Sequence, residues 1–317
     1  MGFEQLLGNR RIKENLLSGI SRGRVSHGYL LSGPAGSGKR TLARLLAAAA
    51  LCQAAEKPCL ACPSCRKVMA DTHPDVITVD DPTKKQVSVE LVRDARADMF
   101  VQPNEGIRKI YLFPRAQDML PPAQNALLKV LEEPPSYGVF LLLTDNPEKM
   151  LPTIRSRCIE LRLQPLEQPI LEKALLQQFP GADPETLQAA MARSGGYLGQ
   201  AQTLMQEGAA TDPKTQQFAD AFAGRNALQL VQTLVAMEKW KREQLIPVLE
   251  QWLDLLHQAL VCRNGLPAAS PMAKHISKNR SSQELMLAIG HLQKAIEYAQ
   301  GNVSCGAVCG FLQWALR

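Results

Sequence analysis

Four cysteines fall within fourteen positions, Cys52, Cys59, Cys62 and Cys65, and Cys59-Leu60-Ala61-Cys62-Pro63-Ser64-Cys65 supplies two consecutive C-x-x-C steps. Four thiolates at this spacing can close a tetrahedron around a metal ion. No further group is spaced to suggest an open coordination position, so the set reads as structural rather than catalytic, and His73, eight positions on, is left out of it. Zinc and an iron–sulfur cluster both accept four sulfurs, which leaves the metal open on these residues alone. The other cysteines, Cys158, Cys262, Cys305 and Cys309, are scattered and read as small buried apolar residues.

A second constellation precedes them. Gly33-Pro34-Ala35-Gly36-Ser37-Gly38-Lys39 matches a phosphate-binding loop, in which Gly33, Gly36 and Gly38 let backbone N–H groups, that of Ser37 among them, close around phosphate while Lys39 adds a positive charge. The full pattern wants Ser or Thr directly after the lysine as a Mg²⁺ ligand, and this chain has Arg40. Thr41 comes one residue later, turned by about 100° on a helix, and so points elsewhere. Hydrolysis also needs acids at the end of a neighbouring strand. After Lys109-Ile110-Tyr111-Leu112-Phe113 the sequence reads Pro114-Arg115, an uncharged residue and one of the wrong sign. Asp118, about a turn further on, reads as a solvated or capping side chain.

The elements that must hold these groups follow from the pattern. An apolar run, 25–31, ends at Ser32-Gly33-Pro34, and Thr41 to Ala50 is an Ala- and Leu-rich helix, giving strand, glycine loop, helix. Val76 to Val79, Lys109 to Phe113 and Val139 to Thr144 are short β-prone runs separated by helical stretches such as Val89 to Phe100 and Ala123 to Leu131. Such alternation implies an α/β fold with a parallel sheet. From Gln168 the alternation stops and the sequence is helical in spacing, broken at Pro180-Gly181, Gly195-Gly196 and near Gly265. The expected organisation is an α/β domain over 1–165 with a metal module at about 52–65, a helical unit over 166–208 and an all-helical domain over 209–317. Thr211-Asp212-Pro213 serves as linker and cap, and the chain start is read as helix.

The 317 residues suffice for about two domains with buried cores, and 45% hydrophobic with 21% charged residues excludes wholesale disorder. The 36 basic against 30 acidic residues give +6, a mild excess compatible with nucleic acid but not requiring it. No apolar stretch approaches the roughly 20 residues a membrane helix needs, and the start has no export pattern, so residence in the cytoplasm and no membrane are expected. Aromatic residues at 5% are sparse for a base-stacking surface, which disfavours a stand-alone zinc-containing nucleic-acid-binding module. Arg93, Arg96 and Arg108 read as solvated faces, and no residue is assigned to DNA.

The glycine loop from Gly33 to Thr41, the cysteine cluster after it, the segment Ala123-Gln124-Asn125-Ala126-Leu127-Leu128-Lys129-Val130-Leu131-Glu132-Glu133-Pro134-Pro135 and the segment Leu151-Pro152-Thr153-Ile154-Arg155-Ser156-Arg157-Cys158 resemble the AAA+ clamp-loader family of bacterial DNA polymerase III over most of the chain. Gamma and tau motor subunits share these segments but keep an intact P-loop and an Asp-Glu pair. Their loss at Arg40, Pro114 and Arg115 makes the resemblance one to the delta prime branch. It implies an AAA+ domain with a structural Zn²⁺ at the four cysteines, a helical lid and a C-terminal helical collar for oligomerisation. It also implies an ATPase-inactive stator in a hetero-oligomer with delta and gamma or tau. Such a subunit supports loading of the sliding clamp onto primed DNA within the polymerase holoenzyme and shows no catalysis alone. Arg157, with Ser156 beside it, is then an arginine finger into a neighbouring motor's ATP site, Thr144 and Asn146 match a phosphate-sensing strand end, and Gly199 stands where a second sensor arginine is expected. The residues 33–41 form a degenerate loop at which hydrolysis is not expected and ATP binding is left open. The alternative is an active gamma- or tau-like ATPase motor holding Mg²⁺ through Thr41 or Asp118.

Overall fold

The computed structural model describes residues 2–206, 212–265, 270–301 and 303–316; position 208 and Thr211, placed above at a domain boundary and linker, lie outside them. Two units are resolved by their internal contacts, one built from Met1–Pro180 with Ser194–Gln202, the other from Gly181–Arg193 with Thr203–Arg317.

The first unit is an α/β domain around five parallel strands, β1 (Gly28–Ser32), β2 (Val76–Thr78), β3 (Lys109–Phe113), β4 (Gly138–Thr144) and β5 (Ile159–Arg162), in the order β2-β3-β4-β1-β5. Every residue of β1, β3 and β4 is buried, the signature of a parallel sheet covered on both faces. Period-two alternation divides their side chains between two cores. Tyr29, Leu31, Ile110, Leu112, Val139, Leu141 and Leu143 pack with α1 (Arg10–Ser21) and α2 (Lys39–Leu51), whose run Leu45 to Leu51 is wholly buried. Leu30, Tyr111, Phe113, Phe140 and Leu142 pack on the opposite face with α4 (Val89–Asp98), α5 (Pro121–Glu132) and α6 (Pro152–Arg155). The helix α3 (Pro63–Met69) carries Cys65 and packs beside α2, and α7 (Gln168–Gln178) follows the sheet. Two readings are corrected. The chain start is a series of turns through Gly8, whose φ of +58°, followed by +48° at Asn9, cannot continue a right-handed helix, so helix begins only at Arg10. The strand β5 escaped notice because only Leu161 of its four residues is buried, so it lacks an apolar run.

The second unit is helical: α8 (Pro184–Arg193), then α10 (Pro213–Ala223), α11 (Ala227–Val235), α12 (Arg242–Arg263), α13 (Pro271–Asn279), α14 (Ser282–Gln300) and α15 (Cys305–Ala315). Helix α9 (Leu198–Gln206) begins in the first unit and ends in the second. Its core centres on Trp252, fully buried and stacked on Phe218 at 4.2 Å between ring centroids. Cys309 is buried in it, its thiol pushed up to about 12 by burial, which fits an inert apolar role. Among the described residues no helix is long and apolar enough to cross a membrane.

One buried carboxylate shapes the edge of the sheet. Asp75, fully buried just before β2, accepts hydrogen bonds from the backbone N–H groups of Asn104 (2.5 Å), Glu105 (2.9 Å) and Gly106 (2.7 Å) and from the Asn104 side chain (3.0 Å). Burial disfavours its charge, but these donors outweigh it and hold the carboxyl below its ordinary 3.8. Asp75→Asn places an amide against four donors and is expected to destabilise the unit by about 2–4 kcal/mol in urea denaturation. Because the folded carboxyl is the stronger acid, the difference from wild type is full above pH 3.8 and shrinks as pH falls through the lower folded value.

Candidate functional site

Parallel pairing of β1 with β4 brings Ser32 beside Thr144, so both strands deliver their following residues to one end of the sheet, where α/β domains bind ligands. The Gly33 N–H bonds the Thr144 carbonyl at 3.2 Å, and the loop then turns through Gly36 (φ +73°) and Gly38 (φ +94°), left-handed conformations that favour glycine. Gly38 caps α2, so Lys39 is the first helical residue. A cleft of about 900 Å³ opens over this loop, lined among others by Leu7, Gly36, Lys39, Thr41, Arg115 and Gly199.

Two cations of the cleft, Lys39 and Arg115, are paired with carboxylates. Lys39 Nζ donates to Gly33 O (2.5 Å), Pro34 O (2.8 Å) and Asp145 Oδ1 (2.6 Å), its side chain only 10% exposed. At the end of β3, Arg115 donates to Asp80 Oδ1 through Nη2 at 2.6 Å and to the Asp81 and Lys84 carbonyls, so a guanidinium stands where an acidic pair is required and neutralises the carboxylate nearest to it. Asp118 lies 3.6 Å from Arg115, and burial raises its carboxyl above the ordinary range. Arg40 is exposed and Thr41 half-buried, both on the cleft.

Of the two strand-end residues singled out by sequence, Thr144 is buried and its hydroxyl accepts from Asn146 N at 3.1 Å, while the Asn146 side chain accepts from Glu148 N at 3.0 Å and so caps a short 3₁₀ turn. The side chain that reaches Lys39 belongs to Asp145, between them. Asp145 and Asp80 were both missed. Each lies just past a strand, and only the strand order, absent from the sequence, turns them toward the loop.

Ser156 and Arg157 lie elsewhere, after α6 and outside the residues lining the cleft. Ser156 Oγ donates to Thr153 O at 3.1 Å, and Arg157 donates to Thr153 O at 3.0 Å and pairs with Glu132, at the end of α5, at 2.8 Å. Arg157 is half-buried, and Cys158 beside it packs toward the core, its thiol pushed up to about 12 by burial. That argues against nucleophilic chemistry at Cys158.

The four cysteines converge. Cys52 ends α2, Cys62 caps α3, and all four sulfurs lie within 4.8 Å of one another, Cys59 and Cys65 at 3.9 Å. Ligands about 2.3 Å from a tetrahedral metal ion are about 3.8 Å apart, so the set fits such an ion. Cys62 N donates to Cys59 Sγ at 3.3 Å and Cys65 N to Cys62 Sγ at 3.4 Å. The N–H groups of Ala61 and Cys62 lower the Cys59 thiol to about 6, whereas burial pushes the Cys65 thiol up. His73 turns away, its Nε2 at 3.1 Å from Ser64 Oγ and its Nδ1 accepting from Asp75 N.

A sequence profile of the family described as DNA polymerase III, delta subunit, matches residues 8–167. The chain belongs to this family. It is 39% identical over 191 residues to the DNA polymerase III subunit delta prime of Pseudomonas aeruginosa, covering 59% of this chain and 58% of that protein. It is 34% identical over 215 residues to the subunit tau of Escherichia coli, covering 66% of this chain and 33% of tau. The chain thus matches about a third of the tau relative and under two thirds of the delta prime relative. A gamma subunit-related protein from Thermotoga maritima superposes with a TM-score of 0.44 at 16% identity, covering 96% of this chain and 99% of that one. The clamp-loader resemblance therefore stands on the sequence matches and the parallel α/β fold on the strand pairing, and the cysteine cluster could bind a metal ion.

Cys59→Ser and Cys65→Ser are expected to remove bound metal, read as loss of about one metal equivalent per chain by elemental analysis. They should also lower the thermal midpoint, the loss being on the order of several kcal/mol.

Proposed function

We propose that the chain is the ATPase-inactive delta prime stator of a DNA polymerase III clamp loader. The observation that carries this reading is the Arg115–Asp80 pair: the strand end that would hold Mg²⁺ and orient water carries a cation locked onto the nearby carboxylate at 2.6 Å. In this reading Arg157 acts in trans, projecting with Ser156 into the ATP site of an adjacent gamma or tau motor. A finger of this kind contributes on the order of 10³ to 10⁵ in rate where it has been measured. Its tie to Glu132 joins two partly exposed side chains, a contact worth about 1 kcal/mol or less, so exchanging that carboxylate for a phosphate is cheap.

The remaining assignments follow the same family reading. Zn²⁺ would be held by Cys52, Cys59, Cys62 and Cys65, and supplies a fixed crosslink between the end of α2 and α3. Residues 166–208 act as the lid and 209–317 as the collar through which the chain joins delta and the motors in the cytoplasm. The sliding clamp and primed DNA are reached through the assembled complex. Similarity to tau supports a second reading, an active motor. That reading has to recruit Thr41 or Asp118 to Mg²⁺, and Asp118 already lies 3.6 Å from Arg115.

Steady-state ATP hydrolysis by the purified chain is expected to equal that of Lys39→Ala, whereas Lys39-dependent turnover would favour the motor. In a complex reconstituted with delta and gamma or tau, Arg157→Ala is expected to lower DNA-stimulated turnover severalfold with the assembly intact by gel filtration. Unchanged turnover would contradict the finger.

A further inference from the structure

We infer that the cysteine module clasps residues 2–9, the turns that precede α1, so that metal at the four sulfurs holds in place one wall of the cleft over the glycine loop. This rests on the metal reading of Cys52, Cys59, Cys62 and Cys65 and gives that crosslink a task beyond joining α2 to α3.

Residues 2–9 form neither helix nor strand, and a segment of turns owes its order to what it touches. Its two ends touch different things. At the first, Gly2 is buried directly on Pro58, which stands between Cys52 and Cys59, and a Cβ at position 2 would collide with the Pro58 carbonyl oxygen and ring. Phe3 and Leu6, 2% and 3% exposed, belong to the same core as Cys52 and Cys65, and Cys59, Leu60 and Cys62 pack against that core. The chain beneath them, 53–62, is itself without helix or strand, so a metal ion binding its cysteines to Cys52 and Cys65 is what would fix the surface on which Gly2 and Phe3 rest.

The other end meets the glycine loop. A Cβ on Gly38 would stand 3.4 Å from Leu6 Cδ1, so Leu6 lies against the residue that caps α2, and Glu4, Gln5, Leu6 and Leu7 line the cleft with Gly36 to Thr41. Polar contacts hold this end: the Leu6 carbonyl accepts from Lys13 Nζ at 3.1 Å, and Asn9 Oδ1 accepts from Gln164 N at 2.8 Å, just beyond β5. Leu6 thus joins the cysteine-bearing core to the glycine loop, while the Gly2–Phe3 end rests by packing on the cysteine module. Losing the metal releases that end first. Coupling of this kind is reciprocal: if metal orders the segment, the ordered segment must slow loss of the metal.

The test uses the full chain loaded with Zn²⁺, its metal content set by elemental analysis. Hydrogen exchange read by mass spectrometry before and after treatment with EDTA under reducing conditions should show peptides within 2–9 exchanging about tenfold or more faster once the metal is gone, with the interior of β4 unchanged. Because chelation can loosen more than the segment, the reciprocal measurement decides: Zn²⁺ release to the chromogenic chelator 4-(2-pyridylazo)resorcinol should be about fivefold or more faster from Phe3→Ala than from wild type. Leu127→Ala, which truncates an equally buried side chain in the core on the opposite face of the sheet, should release at the wild-type rate. Equal release from wild type and Phe3→Ala, equal release from Phe3→Ala and Leu127→Ala, or unchanged exchange within 2–9 after metal loss would overturn the inference. A chain that binds no Zn²⁺ removes the metal reading and the clasp together, while a Zn²⁺-loaded chain indifferent to Phe3→Ala removes the clasp alone.

Discussion

The parallel pairing of β1 with β4, Ser32 opposite Thr144, is the contact on which the rest of the cleft depends. It places the glycine loop and the Thr144–Asn146 turn at the same sheet end, within reach of one another's side chains and carbonyls. Burial of both strands on two faces fixes that register, since a slip of one residue would exchange the side chains of the two cores. Everything chemical at this end is then a question of which charges the neighbouring strands deliver. In this chain they deliver opposite signs in pairs, Asp145 to Lys39 and Arg115 to Asp80.

That pairing gives the fold a division of labour. Lys39 and Arg115 are spent on carboxylates inside the cleft, while Arg157 lies outside it in an ion pair with Glu132 between two partly exposed side chains. The cysteine module is joined to the sheet through α2 and through the Ser64–His73 and His73–Asp75 contacts.

Much of this was legible in the sequence. The glycine loop, the cysteine spacing and the lost acids at Pro114 and Arg115 are local patterns whose meaning survives without a fold, and alternating strand and helix specified the parallel sheet. What escaped is relational. Asp145 and Asp80 are ordinary acids until strand order aims them at Lys39 and Arg115. Asn146 caps a 3₁₀ turn through its Oδ1, a local contact that the sequence reading did not anticipate. Strand β5 lacked an apolar run because three of its four residues are exposed, and the left-handed backbone at Gly8 and Asn9 halted a helix that composition alone would have started earlier.

The central claim is that the cleft neutralises its own lysine. A double-mutant cycle on Lys39 and Asp145, read by urea denaturation of the single and double alanine variants, tests it most directly. With Lys39 largely buried, the predicted coupling is about 1 kcal/mol or more, above the usual range for exposed pairs. Additive effects of the two substitutions would contradict the account.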